Sequence, residues 1–108
     1  MTPASTTTKH THAERSPSGL FRMSAWEGEM ERSYPQLPRW YWNEAERRKQ
    51  YARWVEAEAE SLAMRLAGLL RPDTPADTAG PARLLVESLA RDAEWARSLE
   101  DGLLRNAA

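Results

Sequence analysis

The chain has 108 residues, a net charge of −1, a mean hydropathy of −0.75 and no cysteine. One domain is expected at this length, and a disulfide framework, a thiolate metal site and a cysteine nucleophile are excluded. Balanced charge argues against sequence-independent nucleic-acid binding, and no apolar run reaches the ~18 residues of a membrane span because Arg65 interrupts the longest.

Residues 1–19, MTPASTTTKHTHAERSPSG, combine Thr, Ser and Pro with scattered charge and show no apolar periodicity. That composition predicts a disordered arm, and it contains neither a secretory apolar core nor a basic amphipathic presequence. A cytoplasmic location is the expectation. His10 and His12 form an H-x-H pair that leaves the coordination of Cu(II) or Ni(II) incomplete, so no metal or other cofactor is expected. Ser16-Pro17 has the dipeptide form of a phosphorylation site.

Met23, Trp26, Met30 and Tyr34 come next at i, i+3, i+7 and i+11, which places four bulky side chains on one helical face. A short amphipathic helix over about residues 20–33 is predicted, with Ser18 as its cap. Gly28 inside it costs about 1 kcal/mol relative to alanine, so this helix needs something to dock onto. Tyr34-Pro35-Gln36-Leu37-Pro38 reads as a stiff connector, since each proline pushes the residue before it out of the helical region.

A long helix is predicted over about residues 38–70. It starts at Pro38 as a first-turn residue or, after a break following Trp42, at Asn43, which with Glu46 matches a capping box. Tyr51, Val55, Ala59, Leu62, Leu66 and Leu69 recur with the period of a straight α-helix, and charged residues occupy its other faces. Pro72 ends it, and residues 73–80, DTPADTAG, read as a loop. Pro81 then opens a last helix over about residues 81–105, with Ala82, Leu85, Leu89, Ala93, Ala96, Leu99 and Leu103 as its apolar stripe.

The fold class is therefore all-α: a disordered arm, then one helical domain from residue 20 to 108. In it an antiparallel helical hairpin has a core of Leu62, Leu66, Leu69, Leu85, Leu89 and Leu99, crossed by the short N-terminal helix. So small a core predicts a bundle completed by a homodimer or a protein partner. Residues 1–50 carry eight basic and six acidic groups and residues 51–108 seven and ten, a shallow polarity that hints at antiparallel or intermolecular pairing.

Catalytic arrangements are missing. Both histidines lie in the arm, no Glu-x-x-His pair exists for a di-iron bundle, and no glycine-rich phosphate loop occurs. Glu56 and Glu60 share a helix face at i, i+4 and read as a solvated acidic face rather than a proton or metal site. The chain is expected not to be an enzyme, and no small-molecule substrate is implied. Trp26-Glu27-Gly28 is similar to the tripeptide of small secreted W-x-G helical hairpins. In those proteins it occupies the interhelical turn, whereas here it falls inside a predicted helix, and their C-terminal export pattern is missing. Membership is not assigned.

The aromatic distribution carries more. Eight of the nine aromatics lie between Phe21 and Trp54, and Arg39-Trp40-Tyr41-Trp42 is followed by Arg47-Arg48-Lys49. Trp, Tyr and Arg are the types enriched in interface hot spots. The expectation is a non-catalytic protein–protein interaction module, a small adaptor, inhibitor or assembly subunit, contacting its partner through Trp26, Met30, Arg39, Trp40, Tyr41, Trp42, Arg47 and Arg48. The alternative is a nucleic-acid-associated regulator that stacks bases on residues 39–49. A non-catalytic subunit of a multisubunit enzyme would carry the same sequence features.

Overall fold

In the computed structural model, residues 15–107 are described, and the side chains of residues 104–107 are not. The expected arm over residues 1–14, including His10 and His12, lies outside the described residues. The described chain is helical: α1 (Met23–Ser33), a 3-10 turn (Arg39–Trp42), α2 (Glu44–Leu69) and α3 (Ala76–Ala107). Helices α2 and α3 pack as the hairpin.

Local chemistry explains the boundaries. Asn43 caps α2, its side-chain oxygen accepting from the Glu46 N–H at 3.0 Å, so the chain breaks after Trp42 rather than running on from Pro38. The capping box is half formed, because the Glu46 carboxylate turns to Gln50 and Lys49 instead. At the other end the Leu70 N–H closes on the Ala67 carbonyl before Pro72.

The expected start of the last helix at Pro81 is corrected. The Pro75 carbonyl accepts from Thr78 at 3.0 Å and Ala79 at 2.8 Å, so α3 begins at Ala76 and the last five residues of DTPADTAG are helical. Pro81 sits in the second turn, where its missing N–H forfeits one ladder bond near an exposed helix end. The loop shrinks to residues 70–75, pinned by the Thr74 hydroxyl accepting from the Arg71 N–H at 2.8 Å.

The expected leucine core is also corrected. Of the six leucines assigned to it only Leu89 is buried, whereas Leu69 is 73% exposed. The core lies toward the other end of the hairpin, where Phe21, Met23, Trp26, Tyr41, Tyr51, Val55, Ala59, Ala93 and Ala96 are buried together. Alanine at 52, 59, 93 and 96 lets α2 and α3 approach closely, and the aromatics of α1 and the 3-10 turn cover them as a third layer. Toward the loop there is no third layer among the described residues, and the leucines stay half open.

Residues 16–19 do not behave as the arm expected of them. They form a tight turn with Gly19 at φ +80°, flanked by an isolated antiparallel bridge between Arg15 and Arg22. Ser18 does not cap α1, whose N-cap is Arg22 without a side-chain bond. Its backbone N–H and hydroxyl instead donate to the two carboxylate oxygens of Asp92, at 3.0 and 2.5 Å, and Asp92 is fully buried in α3. Ser16 exchanges backbone bonds with the turn, and its hydroxyl accepts from the Phe21 N–H at 3.2 Å.

The hairpin's register is marked by charge. Arg97 of α3 reaches both Glu60 at 2.7 Å and Glu56 at 3.2 Å on α2, and Arg53 reaches Glu100. The acidic pair Glu56/Glu60 is thus spent on one guanidinium. All three contacts lie within residues 51–108, while Arg47–Glu27 lies within residues 1–50, so these pairs do not join the basic half to the acidic half.

Candidate functional site: an aromatic pocket beside the 3-10 turn

Three consecutive aromatics cannot share one face of any helix. In a 3-10 turn successive side chains point about 120° apart. The i→i−3 bonds from Tyr41 to Pro38 (3.0 Å) and from Asn43 to Trp40 (2.9 Å) therefore send Trp40, Tyr41 and Trp42 in three directions. Tyr41 goes inward and is buried; Trp40 is half-buried; Trp42 stays 73% exposed, edge-on to Tyr41 at 5.5 Å. Arg39, at the start of the same turn, is exposed.

Behind the turn stands Trp26, buried and nearly parallel to Trp40 (6.4 Å between ring centres, 23° between planes). It also meets Tyr41 at 6.3 Å and Tyr51 at 6.0 Å. Tyr51 is the hub: it touches Trp54 at 6.2 Å and Trp95 at 6.4 Å, and its hydroxyl donates to the Phe21 carbonyl at 3.2 Å. Aromatic pairs in such stacked, tilted and edge-on arrangements contribute about 0.5–1.5 kcal/mol each beyond area burial, which stabilises this wall.

Between α1, the 3-10 turn and α2 the wall leaves a solvent-open pocket of about 480 Å³, lined by Trp26, Met30, Tyr34, Trp40 and Trp54 with Gln50 and Arg53 as polar groups. A smaller recess of about 180 Å³ continues from it toward Glu29 and Ser33 on α1. The pocket size suits one or two large side chains.

Of the eight residues expected at a partner surface, Trp26, Met30 and Trp40 line the pocket and Arg39 and Trp42 stand at the surface of the turn. Trp26 and Tyr41 are buried, so as packed they present almost no exposed area. Arg47 pairs with Glu27 at 3.2 Å and lies over the Tyr41 ring at 5.5 Å. Arg48 pairs with Glu44 at 2.9 Å, and Lys49 with Glu46 at 3.1 Å. Tyr34, Gln50, Arg53 and Trp54 line the pocket from outside the expected set. Tyr34 belongs to the α1 stripe, and Trp54 sits three residues after Tyr51, which is the signal that could have found them.

Electrostatically the site is quiet. Burial, with the hydrogen bond from its hydroxyl to Glu31 (3.1 Å), raises the Tyr41 phenol above its ordinary value. The Gln50 amide and then Lys49 hold Glu46 below the usual carboxylate range. Glu100 raises the Arg53 guanidinium further, so Arg53 is a fixed cation at the rim. Among the described residues no group of three His, Cys, Asp or Glu side chains is placed to hold a metal ion, and no helix is long and apolar enough to cross a membrane. No family model, curated protein or solved structure matches this chain.

Proposed function

We propose that this protein is a non-catalytic interaction module, an adaptor, inhibitor or assembly subunit, that takes an apolar or aromatic side chain of a protein partner in the pocket lined by Trp26, Trp40 and Trp54, with Trp42 as a further contact on the same turn. The observation that carries the reading is a preformed, solvent-open aromatic pocket lined by Trp40, on the same 3-10 turn that exposes Trp42, while the neighbouring cations Arg47, Arg48 and Lys49 are held by Glu27, Glu44 and Glu46. A preformed, half-open aromatic surface gives contact area at little cost in side-chain entropy. The alternative, stacking of single-stranded nucleic acid on residues 39–49, is favoured by one observation: Arg39 makes no ion pair among the described residues.

The test is capture from the native cell by the wild type and by Trp42→Ala and Trp40→Ala, with identified partners then measured as purified proteins. A purified partner that binds the wild type at least tenfold more tightly than Trp42→Ala, with weak salt dependence, supports the reading. Steep loss of binding with salt and a nucleic-acid ligand would overturn it in favour of the alternative.

A further inference from the structure

At the loop end of the hairpin the stripe of α2 runs on past the aromatic core as Leu62, Leu66 and Leu69, facing Leu85 and Leu89 of α3. With Leu20 at its inner end, this makes an almost wholly apolar groove of about 500 Å³. Leu69 is 73%, Leu20 57%, Leu85 40% and Leu62 38% exposed, while Leu89 at the floor is buried and joins the groove to the core. Among the described residues nothing covers it: α1 and the aromatic layer pack at the other end of the hairpin, and Arg65 at the rim makes no ion pair.

We propose that a second copy of this chain covers this groove, making a dimer through the loop ends of two hairpins. The reading is independent of the aromatic pocket. Three arguments select a second copy.

The first is area. The exposed parts of the four leucines amount to roughly two whole leucine side chains, an apolar patch on the order of 300–400 Å². At the roughly 65% apolar content of homodimer interfaces, such a patch belongs to an interface of about 600 Å² per copy and about 1,200 Å² in all, the lower edge of the standard size. The patch is thus large enough to be the apolar centre of a specific dimer interface.

The second is shape. Two adjacent helices with matched apolar stripes are half of a four-helix bundle, and a two-fold axis supplies the same half again with the same helix packing. Leu20 closes the inner end, so the occupant enters from the loop side and its length is limited, as the loop end of another hairpin is.

The third is charge. A net charge of −1 sets up little repulsion between copies. Because the aromatic pocket lies at the opposite end of α2, such a dimer presents two outward pockets.

Sedimentation velocity of the full chain across the micromolar range tests this, with Leu69→Lys and Leu69→Glu as variants and far-UV circular dichroism as the check on folding. The expected result is a reversible wild-type dimer, at least tenfold weaker in each variant, and regained when the two variants are mixed. Leu84→Lys, exposed but outside the groove, and Trp42→Ala leave the dimer unchanged. Should either Leu69 variant lose helicity, Leu20→Ser, at the next most exposed position, takes its place. A wild type that stays monomeric to millimolar concentration, or variants that dimerise as the wild type does, would overturn the proposal. Loss of the dimer in Trp42→Ala would overturn it as well, by placing the interface at the aromatic pocket.

Discussion

Asp92 is fully buried, meets no cation among the described residues, and accepts both donors of Ser18. Asp92→Ala removes two hydrogen bonds to a charged acceptor, each contributing about 1.5–3 kcal/mol. Two effects reduce the sum. Ser18 is exposed, so its freed N–H and hydroxyl are rehydrated, and a desolvated carboxylate is taken away along with its bonds. The net loss expected is about 1.5–3 kcal/mol, a fall in Tm of roughly 8–16 °C for a domain of this size.

Ser18→Ala should cost about 1–3 kcal/mol, because it leaves one buried carboxylate oxygen without a donor. The double variant should then lose less than the two single losses added, by about 1–2 kcal/mol, since the residues form one unit. Denaturant unfolding followed by circular dichroism measures all three. Trypsin cleavage at Arg15 and Arg22 reports the turn locally and should quicken in each variant. An Asp92→Ala protein within about 0.5 kcal/mol of the wild type, or strictly additive single and double losses, would refute the idea that this contact holds residues 16–21 to the hairpin.

Three further outcomes rest on the same structure. Gly28 lies inside α1, and an added Cβ would meet only the flexible guanidinium of Arg32 at 3.2 Å, so Gly28→Ala should raise stability by about 0.5–1 kcal/mol. Gly19→Ala, at φ +80°, should lower it by about 1 kcal/mol, both read by denaturant titration. Trp26→Ala should cost about 3–5 kcal/mol, whereas Trp42→Ala should stay within about 0.5 kcal/mol of the wild type by thermal unfolding, because one is buried in the cluster and the other is not.

The junction of α1, the 3-10 turn and α2 should weaken at both extremes of pH. Glu46 is held below its ordinary value, so its contribution is present above the unfolded carboxylate value and is lost as pH falls through the folded one. Tyr41 is raised, so its contribution is full below the ordinary phenol value of about 10 and is lost as pH rises through the folded one. Glu46→Gln should flatten the acid side and Tyr41→Phe the alkaline side in pH-dependent unfolding. An unchanged profile in either variant would contradict the assignment.

Much of the fold is legible along the chain because it depends on neighbours in sequence. The spacing of Met23, Trp26 and Met30, the Asn43–Glu46 cap and the stop before Pro72 are local, and the helices they mark are present. Two local signals mislead. Pro81 has the pattern of a first helical residue, yet Pro75 offers the earlier start, and a proline in an exposed second turn is tolerated. Ser18 has the pattern of a cap because a serine shortly before an apolar repeat can be one, yet its partner is 74 residues away.

Of the residues around the aromatic pocket, sequence reasoning names Trp26, Met30 and Trp40 but cannot divide the aromatics into core and exterior. Trp26, Tyr41 and Trp42 are all large aromatics in sequence, and the 3-10 turn, set by which i→i−3 bonds close, turns Tyr41 inward and Trp42 out.

Helical periodicity, caps and prolines act over a few residues, so an all-α hairpin with a short docking helix is already written in the chain. The position of the core is not, because it rests on contacts between elements distant in sequence. Periodicity shows that a stripe is apolar; burial depends on what sits opposite it. The alanine and aromatic half of the hairpin meets α1 and the 3-10 turn and is buried, whereas the leucine half has no such neighbour among the described residues and forms an open groove.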